Sequence, residues 1–156
     1  MTSPGYLRFP HVHGDLLTFV AEDDVWLAPV TGGRAWRLTS DGATVSHPRF
    51  SRDGAQVAWT SWRDDDPEVY TAAVDGGAAT RRTYWGDPRT RTTGWTRAGE
   101  VLAVSAVGQP GSQYSWAYAV PLPEGGLAAH PAGEQRGGCL FQREVGDLAE
   151  RQPARG

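Results

Sequence analysis

Apolar residues fall in short runs, and none recurs at helical spacing. Leu16–Ala21, Val25–Val30, Ala55–Trp62, Glu68–Val74, Val101–Val107 and Ser115–Val120 are each six to eight residues long. They are rich in β-branched and aromatic side chains, which suits strands. Turn chemistry separates them: Asp53-Gly54, then Asp64-Asp65-Asp66-Pro67, then Asp75-Gly76-Gly77. Asp-Gly between extended runs signals a hairpin, because glycine reaches positive φ without a Cβ clash. The pattern predicts one sheet from Leu16–Ala21, Val25–Val30 and Trp36–Thr39. It predicts a second from Gln56–Trp62, Val69–Val74 and Thr80–Thr83, and a third from Val101–Val107 with Ser115–Val120.

These units repeat. The turn glycines Gly14, Gly54 and Gly99 lie 40 and 45 residues apart, and the pairs starting at Gly32, Gly76 and Gly125 lie 44 and 49 apart. A period near 40–45 with four strands per unit is the signature of a propeller blade. The expected fold is therefore all-β: a partial β-propeller of about three four-stranded antiparallel blades. Tyr6–Val12 reads as an innermost strand, and Thr44–Ser51 starts the second blade. The turn Arg49–Gly54 (R-F-S-R-D-G) has its counterpart in Gly94–Gly99, where Ala98 replaces the aspartate. Tyr84–Thr93 reads as a long surface connection. Residues 1–126 form the expected propeller part. Residues 127–156 hold one aromatic, Phe141, and no alternating run, and read as an irregular or disordered tail.

Composition narrows the function. The net charge is −3, and no basic stripe marks a nucleic-acid footprint. No apolar run approaches the ~20 residues that cross a bilayer. No charged segment leads into an apolar one at the N-terminus, so the expected compartment is the cytoplasm. The single Cys139 excludes an internal disulfide and a cysteine-rich metal site. All fifteen basic residues are arginine, which speaks of codon usage and not of chemistry.

Candidate chemistry is sparse. His11 and His13 share one face of a strand and could hold part of a metal site. No local third ligand joins them, and a polar strand end is the plainer reading. Glu22-Asp23-Asp24 and Asp64-Asp65-Asp66 lack the alternating ligands and the glycine of a calcium loop, so they read as solvated hairpin tips. No G-x-S-x-G elbow and no phosphate loop occur. Trp26, Trp59 and Trp116 sit inside apolar strands, where they would fill the space between blades. Trp62, Trp85 and Trp95 lie nearer turns. No catalytic, cofactor-binding or metal residue is assigned.

The R-F-S-R-D-G turn resembles the F-S-P-D-G turn of propeller repeats, with Arg52 in the proline position. The repeats resemble those shared by TolB-like proteins and tricorn-type proteases. Tyr6–Asp15 (Y-L-R-F-P-H-V-H-G-D), Leu17–Val20 and Asp23-Asp24-Val25-Trp26 resemble the start of a tricorn protease of actinobacterial type. Thr83-Tyr84-Trp85 fits the same likeness, which covers about residues 6–126. It implies a six-bladed propeller followed by a second propeller, a PDZ-like domain and a serine peptidase domain. It also implies a large cytoplasmic homo-oligomer that degrades oligopeptides released by the proteasome. The peptidase machinery lies far C-terminal in that family, and no residue here matches it. The chain is thus expected to be a non-catalytic N-terminal fragment. Its expected partners are peptides and other subunits or domains of the protease, with a role in gating or assembly. The alternative is a TolB-like module that binds a protein partner.

Overall fold

The computed structural model describes residues 6–111 and 114–122. Strands β1 (Arg8–His13), β2 (Leu16–Ala21), β3 (Asp24–Pro29) and β4 (Trp36–Arg37) are followed by β5 (Val45–Phe50), β6 (Gln56–Asp64), β7 (Asp66–Ala73) and β8 (Thr80–Arg81). Then come β9 (Arg91–Trp95), β10 (Val101–Ser105) and β11 (Trp116–Val120). Among the described residues there is no helix. Three antiparallel sheets result, in the orders β1-β2-β3-β4, β5-β6-β7-β8 and β9-β10-β11. Each follows chain order, as a propeller blade does. The fold is all-β, a partial propeller.

Local chemistry explains the turns. Ala21 pairs with Asp24, so Glu22 and Asp23 form a two-residue loop, with φ of 50° and 57°. Such paired positive φ values match the twist of the flanking strands. The β5–β6 turn is held by Asp53, which accepts from the Ser51 hydroxyl (2.6 Å) and the Ala55 amide (3.0 Å). In the third blade Thr96 does this work: its hydroxyl accepts from the Glu100 amide at 3.1 Å.

Two expectations are corrected in the third blade. Tyr84–Thr93 is a surface connection only in part: Tyr84, Gly86, Pro88 and Arg89 are exposed between β8 and β9, but the segment also turns inward. Its last residues start the innermost strand β9, and Asp87, Thr90 and Thr92 are buried. Asp87 accepts from the Ser105 hydroxyl and the Ala106 amide, which ties the segment to the end of β10. Six polar or charged positions mimic a loop in sequence, yet Asp87, Thr90 and Thr92 find hydrogen-bond partners inside. Val101–Val107 also stops pairing at Ser105. The expected fourth strand of this blade, and the tail 127–156, fall outside the described residues.

The core lies between sheets, and strict alternation builds it. On β6, Val57 and Trp59 join Val20, Val25 and Leu27 of the first blade in one buried cluster. Ala58, between them, points the other way and packs with Val101, Ala103 and Val120 of the third blade. On β7, Tyr70 and Ala72 go to the first cluster and Val69 to the second. The second blade is therefore buried on both faces. Thr60 adds a polar tie to the third blade, where its hydroxyl accepts from the Thr92 amide at 2.8 Å.

Candidate functional site at the inner strands

The innermost strands β1, β5 and β9 pack side by side, β1 on β5 and β5 on β9. Each is irregular. Pairing with the next strand slips between Arg8 and His11, between Ser46 and Arg49, and between Leu102 and Ala103 on the partner of β9. Phe9-Pro10 and His47-Pro48 form the first two bulges. Proline removes a ladder donor, so a bulge is where a strand tolerates it. Phe9 and His47 have φ of 53° and 52°, a strained setting for a residue that precedes proline. The two side chains meet across the seam between blades, with ring centroids 4.2 Å apart.

His11 and His13 point into the same seam. Nδ1 of His11 accepts from the Phe50 amide at 3.2 Å. Nε2 of His13 lies 2.9 Å from the carbonyl oxygen of Arg52. Both rings lie against Phe50, at 5.9 and 6.0 Å between centroids. The pair is thus engaged with backbone of the second blade. No group of three or more His, Cys, Asp or Glu that could hold a metal ion occurs among the described residues.

The seam is electropositive. Burial pushes the His47 imidazole down to about 4, with Arg91 and Arg49 adding to the effect. Burial also lowers the His11 value, assisted by Arg49 and His13. Arg49 is lowered by burial and by Arg91. Arg49 donates to the Pro48 carbonyl at 2.8 Å. Neither Arg49 nor Arg91 forms an ion pair among the described residues. Trp95 closes the other side by donating from Nε1 to the Arg49 carbonyl at 3.0 Å.

The acidic runs separate into different roles. Asp23 lies at an exposed tip with Arg8 at 3.1 Å, and Asp65 sits at a turn with φ of 71°. Asp24, however, is only 4% exposed and is no solvated tip. It accepts from the Thr39 hydroxyl (2.6 Å) and from Arg37 (3.3 Å), while the Val25 amide donates to Thr39 (3.0 Å). Its equivalent 44 positions on is Glu68, fully buried, with Thr83, Arg81 and the Val69 amide in the same arrangement. In these two blades the clasp ties the third strand to the outer strand and the chain just past it. An acid followed by Arg and Thr 13 and 15 positions later, twice at one offset, is the signal in the sequence. Pro10 and Pro48 inside strand patterns signal the bulges in the same way.

The tryptophans divide as well. Trp59 is buried between the first two blades, and Trp85 and Trp95 pack on the second cluster. Trp26 alternates with Val25 and Leu27 and so faces away from the second blade, with Arg37 5.9 Å from its ring. Trp36 and Trp62 remain well exposed.

Residues 4–149 match the family described as the tricorn protease N-terminal beta propeller domain. The chain belongs to this family. Tricorn protease homolog 1 of Streptomyces coelicolor is 53% identical over 148 residues, which cover 95% of this chain and 13% of that protein. A Tricorn-like protease N-terminal subunit of Sulfurisphaera tokodaii is 30% identical over 131 residues, covering 83% of this chain and 67% of that one. The crystal structure of the tricorn protease superposes with a TM-score of 0.68 at 26% identity, over 76% of this chain and 12% of that chain. The chain thus spans a small part of the tricorn proteases and corresponds to their N-terminal propeller region. The family match runs to residue 149, beyond the expected end of the likeness near Gly126. Hydrolase and serine protease describe the family. No helix of the described residues is long and apolar enough to cross a membrane.

Proposed function

We propose that this chain supplies the first blades of the propeller of a tricorn-like serine protease and acts there without catalytic residues of its own. Its role is to guide oligopeptides past the inner strands toward a peptidase carried elsewhere in a cytoplasmic homo-oligomer. The family match carries this reading. A relative named as an N-terminal subunit supports a role separable from catalysis. Arg49 and Arg91, without a carboxylate partner among the described residues, offer positive charge to a passing chain. Guidance of this kind needs weak, salt-screened attraction.

The test is direct. The purified chain should leave fluorogenic peptides uncut, yet bind labelled acidic oligopeptides weakly at low salt. Arg49→Gln with Arg91→Gln should weaken that binding several-fold. Hydrolysis abolished by a serine-reactive inhibitor would sink the non-catalytic reading. Binding indifferent to both salt and the two substitutions would sink the guiding role.

A further inference from the structure

Three of the four histidines of the chain converge on one seam, between β1 of the first blade and β5 of the second. Their bonds there need particular protonation states. Nδ1 of His11 accepts from the Phe50 amide, so it carries no proton. Nδ1 of His47 is buried with no partner, and its ring lies on Phe9. His13 is wedged over the β5–β6 turn of the second blade: a Cβ on Gly54 would lie 2.5 Å from its Nδ1.

We propose that this seam is an acid-operated joint, in which protonation of His11 and His47 releases the inner strand of the first blade from that of the second. A proton on Nδ1 of His11 turns the acceptor into a donor aimed at another donor. The charge also arises beside cations. The charged groups around His11 are Arg49 on β5 and His13 on its own strand. Those around His47 are Arg91 on β9 and Arg49. The carboxylate of Asp53, at the turn beside His13, is held by Ser51 and Ala55 and does not act on His11 or His47. Nothing among these groups would stabilise an imidazolium at either position. The bulges add to the effect, because Phe9 and His47 both hold strained backbone that separation would relax.

Amide exchange reads the joint at single residues. The Phe50 amide crosses the seam to His11, while the Ser51 amide bonds to the Gln56 carbonyl (2.8 Å) within the second blade. In the whole chain, protection of Phe50, corrected for intrinsic exchange, should fall about tenfold or more between pH 7 and about pH 4.5, the span in which an ordinary histidine titrates. Ser51 should hold. In His11→Asn/His47→Asn, Phe50 should keep its protection over that range, because asparagine retains an acceptor and tolerates positive φ. Unchanged Phe50 protection in the parent chain overturns the proposal. So does an equal loss at Ser51, or an equal loss in the double variant. If the variant does not fold, the ring resonances of the parent decide: titration of His11 and His47 below the ordinary histidine value supports the joint, and titration at or above it overturns it.

Discussion

Gly54 carries two constraints at once: φ of +73° and the His13 ring where a Cβ would go. Gly99 occupies the matching turn of the third blade with φ of +83° and open space around it. Gly99→Ala should therefore cost backbone strain alone, about 1 kcal/mol, and Gly54→Ala distinctly more, up to ~3 kcal/mol. Urea unfolding of both variants measures the difference. A His13→Ala background should bring the Gly54 variant back toward the Gly99 value. Equal costs in the parent background would show that the His13 ring moves aside freely. The buried acids make a second comparison. Thr83→Val leaves Glu68 without its hydroxyl donor and the Val69 amide without an acceptor. Thr39→Val does the same to Asp24 and Val25. Unsatisfied buried polar groups cost about 1–3 kcal/mol each, so both variants should lose stability on that scale. A neutral result at either site would mean that Arg37 or Arg81 suffices to hold the carboxylate.

Strand β6 shows how one element serves two seams. Trp59, 1% exposed, fills the space toward the first blade, and Ala58, fully buried, sets how closely the third blade approaches. The larger side chain faces the first blade and the smaller one the third. Trp59→Ala empties a large volume and should cost about 3–5 kcal/mol. Ala58→Leu overfills the narrow seam and should cost about 1–3 kcal/mol. Thermal unfolding of both variants checks the order. A stabilised Ala58→Leu chain would mean that a void lies between the second and third blades.

Across the whole molecule, the seam histidines set a pH dependence. His47 is held at about 4, below its usual 6.5, and His11 is lowered as well, both chiefly by burial. Depressed histidines are neutral in the fold and take up protons on unfolding. Their contribution to stability is full above pH 6.5 and is lost as pH falls from there toward about 4. Asp53, lowered by its bonds from Ser51 and Ala55, acts in a different window, below its ordinary 3.8. Urea midpoints should therefore already decline between pH 6.5 and 4.5, before ordinary carboxylates titrate. In His11→Asn/His47→Asn that decline should flatten. A parent chain equally stable at pH 7 and about pH 4.5 would contradict the linkage.

Most strand positions, the turn glycines and the repeat were legible in the sequence alone, because they rest on neighbouring residues. Period-two alternation made β2, β3, β6, β7, β10 and β11 legible, and Asp-Gly and Gly-Gly turns marked where each sheet folds back. What lay beyond a local window was decided by tertiary structure. Glu22-Asp23-Asp24 is one acidic run, yet pairing of Ala21 with Asp24 leaves Asp23 in water and turns Asp24 inward onto Thr39. Tyr84–Thr93 reads as loop until Ser105 and Ala106 arrive to satisfy Asp87. His11 and His13 form a pair on paper; β5 makes each a fastener by presenting the Phe50 amide and the Arg52 carbonyl. In each case the deciding partner lies 15 to 39 residues away. Alternation specifies which face a side chain takes, but only the packing of blade on blade specifies what that face meets.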